Sequence, residues 1–152
     1  MGCRFCASTM KGLSRNLTAG EILAQVITLN RLLAGEGGDR INHIVVMGTG
    51  EPFDNYENLA KFLEFATAEE GLGLSRRNIT VSTCGIVPMI ERFGDEFPQV
   101  NLAISLHAAT DEKRSSLMPI NKRYPLGEVI ADRKSTRLNS SHTDSSRMPS
   151  SA

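Results

Sequence analysis

Three short strand-like runs alternate with stretches of helical periodicity, and this alternation constrains the fold more than any other feature of the sequence. The runs lie at residues 41–47, 78–82 and 100–106, and each has the length of a buried parallel strand. Helices placed between such strands predict right-handed crossovers and a parallel sheet with the helices outside it. The sequence therefore predicts an α/β fold.

A capping-box pattern marks the start of the first helix, because Thr18 stands three residues before Glu21. The helix is expected to run to about Ala34. Its apolar residues at helical spacing are Ile22, Val26, Leu29 and Leu33. A second helix is expected from Asp54 to about Gly71. Shorter helices are predicted at residues 88–93, 111–117 and 126–131.

Residues that could bind a ligand lie at the end of each predicted strand or just after it. The three segments are Gly48-Thr49-Gly50-Glu51-Pro52, Ser82-Thr83-Cys84-Gly85 and Ser105-Leu106-His107. The glycine turn lets the backbone approach a ligand closely, and Glu51 offers a carboxylate to an ammonium group. Taken singly, each segment is also explained as an ordinary turn or a strand-end polar group. Ligands sit at the carboxyl edge of parallel sheets, so the shared position of the segments predicts a binding site there.

Two cysteines near the start of the chain form a Cys-x-x-Cys pair, Cys3 and Cys6. Thiolates at this spacing can hold one metal ion or cluster, but the same pattern serves zinc sites and dithiol redox pairs. The remaining cysteine, Cys84, is interpreted as a small semi-buried residue. A total of three cysteines argues against a disulfide framework.

The charge balance excludes a strongly basic nucleic-acid binder, since 17 Lys and Arg offset 17 Asp and Glu. Contact with RNA would need a local basic rim. Its candidates are Lys11, Arg15, Arg76, Arg77, Lys113, Arg114, Lys122 and Arg123. No apolar run approaches the roughly 20 residues that span a bilayer, and no signal-peptide pattern opens the chain, so a cytoplasmic protein is expected.

In combination, these segments resemble the radical S-adenosylmethionine (SAM) enzymes. More narrowly, they resemble the dual-specificity RNA methyltransferases that methylate adenine C2 in 23S rRNA and tRNA. Further matching runs are Ala7-Ser8-Thr9, residues 15–22 and residues 114–121. The resemblance covers residues 1 to about 131 and implies the early portion of a partial (β/α) barrel.

The resemblance also implies ligands and partners. In the family, three thiolates of a Cys-x-x-x-Cys-x-aromatic-Cys motif hold a 4Fe-4S cluster, whose open iron binds SAM. Cys3 and Cys6 match the second and third thiolates, and the first would lie two positions before Met1. The resemblance assigns SAM binding to Gly50, Glu51, Ser82, Ser105, Leu106 and His107. It implies 23S rRNA and tRNA as substrates and an electron donor such as flavodoxin.

The composition changes after Ala131. Residues 132–152 are rich in serine and carry almost no apolar surface, so a disordered tail is expected. This segment resembles the translation of a sequencing-library adapter, and it is set apart from the core at residues 1–131.

Three interpretations of the chain remain open. In the first, it is a fragment of such a methyltransferase, inactive because the cluster lacks a ligand. In the second, Cys3 and Cys6 form a small zinc-binding or dithiol redox module. In the third, the chain is a truncated piece that does not fold stably, because an open part-barrel leaves strand edges uncovered.

Overall fold

The computed structural model describes residues 2–6 and 12–135, the last four of these as backbone only. The helices are α1 (Ala19–Gly35), α2 (Tyr56–Thr67), α3 (Val87–Glu96), α4 (Asp111–Leu117) and α5 (Leu126–Ser135). The strands are β1 (Ile44–Val46), β2 (Ile79–Thr83) and β3 (Asn101–Ile104). Single 3-10 turns cover Pro52–Asn55, Arg76–Asn78 and Pro119–Lys122.

The described strands form one parallel sheet in the order β1-β2-β3. Ile44 pairs with Ile79, and Thr80 pairs with Asn101. Sequence order and spatial order coincide, and a helix follows each strand, as expected for consecutive parallel crossovers. The predicted α/β class is confirmed.

The hydrophobic core lies on one face of the sheet. Ile79, Val81 and Thr83 alternate along β2 and are at most 1% exposed. The helices supply the rest of this core through Leu59, Phe62, Leu63, Ala66, Ile90 and Phe93. On the other face, Val45 stays 56% exposed. The helices therefore cover one face of the sheet, and the opposite face is open.

The predicted capping box is present at the start of α1. Thr18 Oγ1 accepts a hydrogen bond from the Glu21 amide at 3.2 Å, and Glu21 Oε2 accepts one from the Thr18 amide at 2.9 Å. Arg15 also binds the Glu21 carboxylate, at 2.6 Å. These contacts lower the pKa of Glu21 to about 2, with the Arg15 hydrogen bond as the largest cause. Leu29, which was predicted to lie on the apolar face, is 52% exposed.

Element boundaries differ from the predictions where local turns intervene. A 3-10 turn that includes Asp54 precedes α2, so the helix begins at Tyr56. It ends before Gly71, where a tight turn would bring an added Cβ to 1.9 Å from the Phe65 carbonyl oxygen. At the other end of the chain, α5 continues to Ser135, past the predicted boundary at 131. The remainder of the predicted tail, residues 136–152, lies outside the described residues.

Within the described residues, no helix combines the length and hydropathy needed to cross a bilayer.

Candidate functional site

The Glu51 carboxylate joins the segment after β1 to the end of β2. Its Oε1 accepts a hydrogen bond from Thr83 Oγ1 at 2.6 Å and one from the Phe53 amide at 3.3 Å, and its Oε2 accepts one from the Cys84 amide at 2.9 Å. The Cys84 side chain also forms a hydrogen bond with Glu51. Glu51 is half-buried, which leaves part of the carboxylate within reach of a ligand.

The glycine turn before Glu51 is exposed and conformationally special. Gly48 and Gly50 have φ angles of 118° and 87°, in the region that favours glycine. A Cβ built at either position would meet no atom within 4 Å. Backbone geometry, rather than crowding, therefore demands glycine here, and the space beside the turn can admit a ligand.

Two serines lie side by side at the ends of β2 and β3. Ser82 Oγ and Ser105 Oγ are 3.4 Å apart, and the Ser105 amide donates to the Thr83 carbonyl at 2.8 Å. Since buried Thr83 faces the core, the alternation along β2 directs Ser82 to the open face of the sheet. The pair presents two hydroxyls at the carboxyl edge.

The segment that carries the paired cysteines packs against the end of β3. The Phe5 and His107 rings lie 4.4 Å apart between centroids, and the Arg4 amide donates to the Leu117 carbonyl at 3.0 Å. Among the described residues, His107 is the one non-glycine residue with a positive φ, at 56°. Burial, and then the positive charge of Arg114, lower the pKa of His107, which favours a neutral imidazole.

The paired cysteines form one turn, in which the Cys6 amide donates to the Cys3 carbonyl at 3.1 Å. Burial raises the pKa of the Cys3 thiol, Cys6 and Glu51 raise it further, and Arg114 opposes them. The turn therefore lies within electrostatic reach of the strand ends. Burial, then the charge of Glu51, also raise the pKa of Cys84, so this thiol stays protonated at neutral pH.

Arg114 of α4 is fully buried, contrary to its expected place in a basic rim. Its Nη2 donates to the Cys84 carbonyl at 2.6 Å, and its Nε donates to the Leu106 carbonyl at 3.2 Å. Its Nη1 donates to Asn121 Oδ1 and to the Tyr124 carbonyl. Arg114 therefore donates to backbone carbonyls inside the fold and is not available to an external phosphate.

Comparison with known proteins decides the family. A sequence profile of the radical SAM superfamily matches residues 1–131. The chain belongs to the radical SAM superfamily.

Similar radical SAM proteins point to one subgroup. The chain is 55% identical over 130 residues to a probable dual-specificity RNA methyltransferase RlmN of Clostridium perfringens (strain SM101 / Type A), covering 86% of this chain and 36% of that protein. It is 56% identical over 131 residues to a protein of the same name from Moorella thermoacetica, covering 86% and 37%. The chain thus spans little more than a third of the length of these curated relatives.

A solved structure carries the same fold. The crystal structure of a radical SAM methyltransferase from Sphaerobacter thermophilus aligns with a TM-score of 0.84 at 52% identity, over 89% of this chain and 39% of that one. This match confirms that the α/β unit described above is a fragment of a radical SAM methyltransferase fold.

The sequence-predicted site residues lie at one edge of this radical SAM fragment. Glu51 contacts the end of β2, Ser82 lies beside Ser105, and His107 packs against the segment with the paired cysteines. The Leu106 carbonyl faces inward to Arg114. Sequence reasoning missed Thr83, Arg114 and Asn121 as residues that hold this edge together. Each of them is a polar or charged residue in a run that resembles the family, and this was the one sequence feature that could have identified them.

The described side chains fit SAM better than they fit a 4Fe-4S cluster. The exposed glycine turn, the half-buried Glu51 carboxylate and the paired serine hydroxyls fit the ammonium, carboxylate and ribose groups of SAM. For a 4Fe-4S cluster, Cys3 and Cys6 supply two thiolates in one turn. Among the described residues, no group of three or more His, Cys, Asp or Glu could hold a metal ion. Three-thiolate ligation therefore needs a donor beyond these side chains.

Gly85→Ala is expected to lower the free energy of unfolding by about 1–3 kcal/mol. Gly85 has a φ of 100°, and its added Cβ would lie 3.2 Å from both γ carbons of Val129 and 3.4 Å from Arg114 Nη2. Gly127→Ala in α5 is the matched control, because its Cβ would meet nothing within 4 Å. The control should gain about 0.5–1 kcal/mol from reduced chain entropy. Urea denaturation measures both, and equal midpoints would contradict the close packing around Gly85.

Proposed function

We propose that this chain is the SAM-binding portion of a radical SAM enzyme that methylates adenine C2 in 23S rRNA and tRNA. One observation carries the proposal. Three consecutive strand ends, bearing Glu51, Ser82 and Ser105, lie at the same edge of the sheet as the segment with the paired cysteines. Parallel α/β folds bind ligands at this edge. The likeness to RNA methyltransferases supports the reaction and substrate class.

Each of the site residues has a proposed role in binding SAM. The Glu51 carboxylate, presented by the turn at Gly50, accepts hydrogen bonds from the amino group of SAM. The hydroxyls of Ser82 and Ser105 bind carboxylate or ribose oxygens. Leu106 and His107 line the same pocket, where a neutral imidazole can donate one hydrogen bond and accept another.

Cys3 and Cys6 are proposed as two of the three thiolate ligands of a 4Fe-4S cluster. The bound cluster supplies the electron that activates SAM, with reducing equivalents from a donor such as flavodoxin. The turn between the two thiols and its packing on His107 hold them toward the SAM-binding residues. Cys84 has no part as a ligand.

The core of this unit is residues 1–131, and residues 132–152 lie outside it. The whole enzyme acts in the cytoplasm, where its RNA substrates are found. The chain of 152 residues by itself does not methylate RNA, because two thiolates hold a cluster too weakly for turnover.

A second candidate is a zinc or dithiol module that uses Cys3 and Cys6 alone. It rests on the Cys-x-x-Cys spacing, which also serves zinc sites and dithiol redox pairs. Zinc would still need donors from another molecule to complete four-coordinate ligation.

Anaerobic reconstitution with iron and sulfide separates the two candidates. The chain would be compared with a version in which Cys and one further residue precede Met1, which completes the family's spacing. The proposal expects the extended version to take up a 4Fe-4S cluster whose electron paramagnetic resonance signal changes when SAM is added. Stoichiometric zinc with no iron uptake in both versions would favour the second candidate and contradict the first.

Cysteine variants of the extended version test which thiols bind the iron of the cluster. Cys3→Ser and Cys6→Ser are expected to reduce bound iron to background, because each removes a proposed ligand. Cys84→Ala is the matched control and should retain the iron, since its buried thiol is proposed to bind none. Iron and acid-labile sulfide analysis measures the outcome. Loss of iron in Cys84→Ala alone would reverse the assignment.

A further inference from the structure

The peptide groups at Cys84 join two charged side chains at the carboxyl edge of the sheet. The Cys84 amide donates to Glu51, which follows β1, and the Cys84 carbonyl accepts from Arg114. Arg114 also donates to the Leu106 carbonyl, which follows β3. Glu51, the Cys84 backbone and Arg114 thus link the segments that follow all three described strands. We name this set the strand-end brace.

Further hydrogen bonds fix the Arg114 end of the brace. Asn121 accepts from Arg114 through Oδ1, and its Nδ2 donates to Asp111 Oδ1 at 2.9 Å and to Ser115 Oγ at 2.8 Å. Asp111 Oδ1 also accepts from the Leu126 amide at 2.7 Å, at the start of α5. The guanidinium is therefore oriented by α4, by the turn after it and by α5.

Arginine is suited to this position by its geometry. Its planar guanidinium carries five N–H groups in a rigid fork, and here the fork reaches carbonyls in three separate segments. Without the guanidinium, the buried Cys84 carbonyl and the part-buried carbonyls of Leu106 and Tyr124 would each lose this N–H donor. Lysine has one ammonium on a flexible stem, so it cannot reach all three carbonyls at once.

The brace acts on the residues that are proposed to bind SAM. Ser82 precedes Cys84 by two residues, and Leu106 lies between Ser105 and His107. Small changes in the separation of β2 and β3 would move the two serine hydroxyls, which are now 3.4 Å apart. From these contacts we infer that Arg114 is a positioning residue, which sets the spacing of the strand ends that bind SAM. This inference rests on the proposed function.

Hydrogen–deuterium exchange on the full chain tests the positioning directly. Arg114→Met and Arg114→Lys are compared with the wild type and with Arg15→Met, which removes an exposed arginine from the surface ion pair with Glu21. In both Arg114 variants, exchange of the Cys84, Gly85 and Ser105 amides should be accelerated about tenfold more than exchange of the α2 amides at residues 59–66. Arg15→Met should match the wild type at all of these amides.

Two outcomes would overturn the inference. Wild-type exchange at the strand ends of Arg114→Lys would show that the guanidinium fork is dispensable. Equal acceleration at the strand ends and in α2 would show a general loss of stability without local positioning. Arg114→Lys keeps the charge, so its exchange rates test the inference if Arg114→Met does not fold.

SAM affinity separates this inference from the proposed function. Isothermal titration calorimetry on the extended, reconstituted version, at a temperature where α2 remains protected, should give a dissociation constant for SAM about tenfold higher with Arg114→Lys than without it. An unchanged constant would overturn the inference and leave the proposed function standing. Failure of the extended, reconstituted version without the substitution to bind SAM would contradict the proposed function, and the exchange pattern would then decide the positioning role alone.

Discussion

Arg114→Met is expected to lower the free energy of unfolding by about 3–5 kcal/mol, because it removes several hydrogen bonds whose donor is a buried charged group. The side chain is fully buried, and its loss leaves the carbonyls of Cys84, Leu106 and Tyr124 without these donors. Each buried acceptor left without a partner costs about 1–3 kcal/mol before the structure relaxes. Burial lowers the pKa of Arg114, which is consistent with a guanidinium removed from water.

Urea denaturation followed by circular dichroism measures this loss. Arg15→Met is the control, because the Arg15 and Glu21 side chains are 61% and 41% exposed. An exposed ion pair contributes about 0–1 kcal/mol, so the control should remain close to the wild type. Similar unfolding midpoints for Arg114→Met and Arg15→Met would show that the hydrogen bonds of Arg114 add little to stability. A wild-type chain without a cooperative transition would instead support the interpretation as a truncated piece that does not fold.

Glu51→Gln is expected to raise the dissociation constant for SAM by about 10–100-fold, which corresponds to the loss of one hydrogen bond to a charged group. The substitution keeps the length and planarity of the side chain while removing the charge that attracts an ammonium. Glu51→Ala should weaken binding at least as much, because it also removes the acceptor for Thr83 and the Cys84 amide. Calorimetric titration with SAM measures both variants.

Thr83→Val separates the structural role of Glu51 in the strand-end brace from its proposed role in binding SAM. It removes the hydroxyl that donates to Glu51 at 2.6 Å but leaves the carboxylate and its charge in place. The expected result is a loss of about 1–3 kcal/mol in stability, with a dissociation constant for SAM within about threefold of the wild type. Equal losses of SAM affinity in Thr83→Val and Glu51→Gln would assign Glu51 to the strand-end brace alone.

The sequence predicts features that depend on local patterns. The capping box of Thr18 and Glu21 requires residues three apart, and it forms as predicted. The parallel sheet follows from alternating strands and helices, whose apolar faces have few other ways to be buried. Because parallel strands share a carboxyl edge, the same reasoning places Glu51, Ser82 and His107 at one edge without knowledge of their contacts.

The burial of Arg114 could not be predicted in this way. It stands in the segment Asp-Glu-Lys-Arg-Ser-Ser, where a charged residue normally faces solvent. Its partner carbonyl at Cys84 lies 30 residues away in sequence, so only the folded sheet brings the two together. The prediction that Leu29 lies on a buried face was also wrong. Helical spacing identifies an apolar stripe but does not show which part of it a neighbouring element covers.

Amide chemical shifts during a SAM titration test whether the carboxyl edge of this sheet is the SAM-binding site. The measurement uses two-dimensional nuclear magnetic resonance on the isotope-labelled chain, with S-adenosylhomocysteine as a control for the contribution of the sulfonium methyl. Binding at this edge predicts saturable shifts confined to residues 48–51, 82–85 and 105–108, with the amide shifts of α1 and α2 unchanged. Shifts located elsewhere, or none at millimolar SAM, would contradict it.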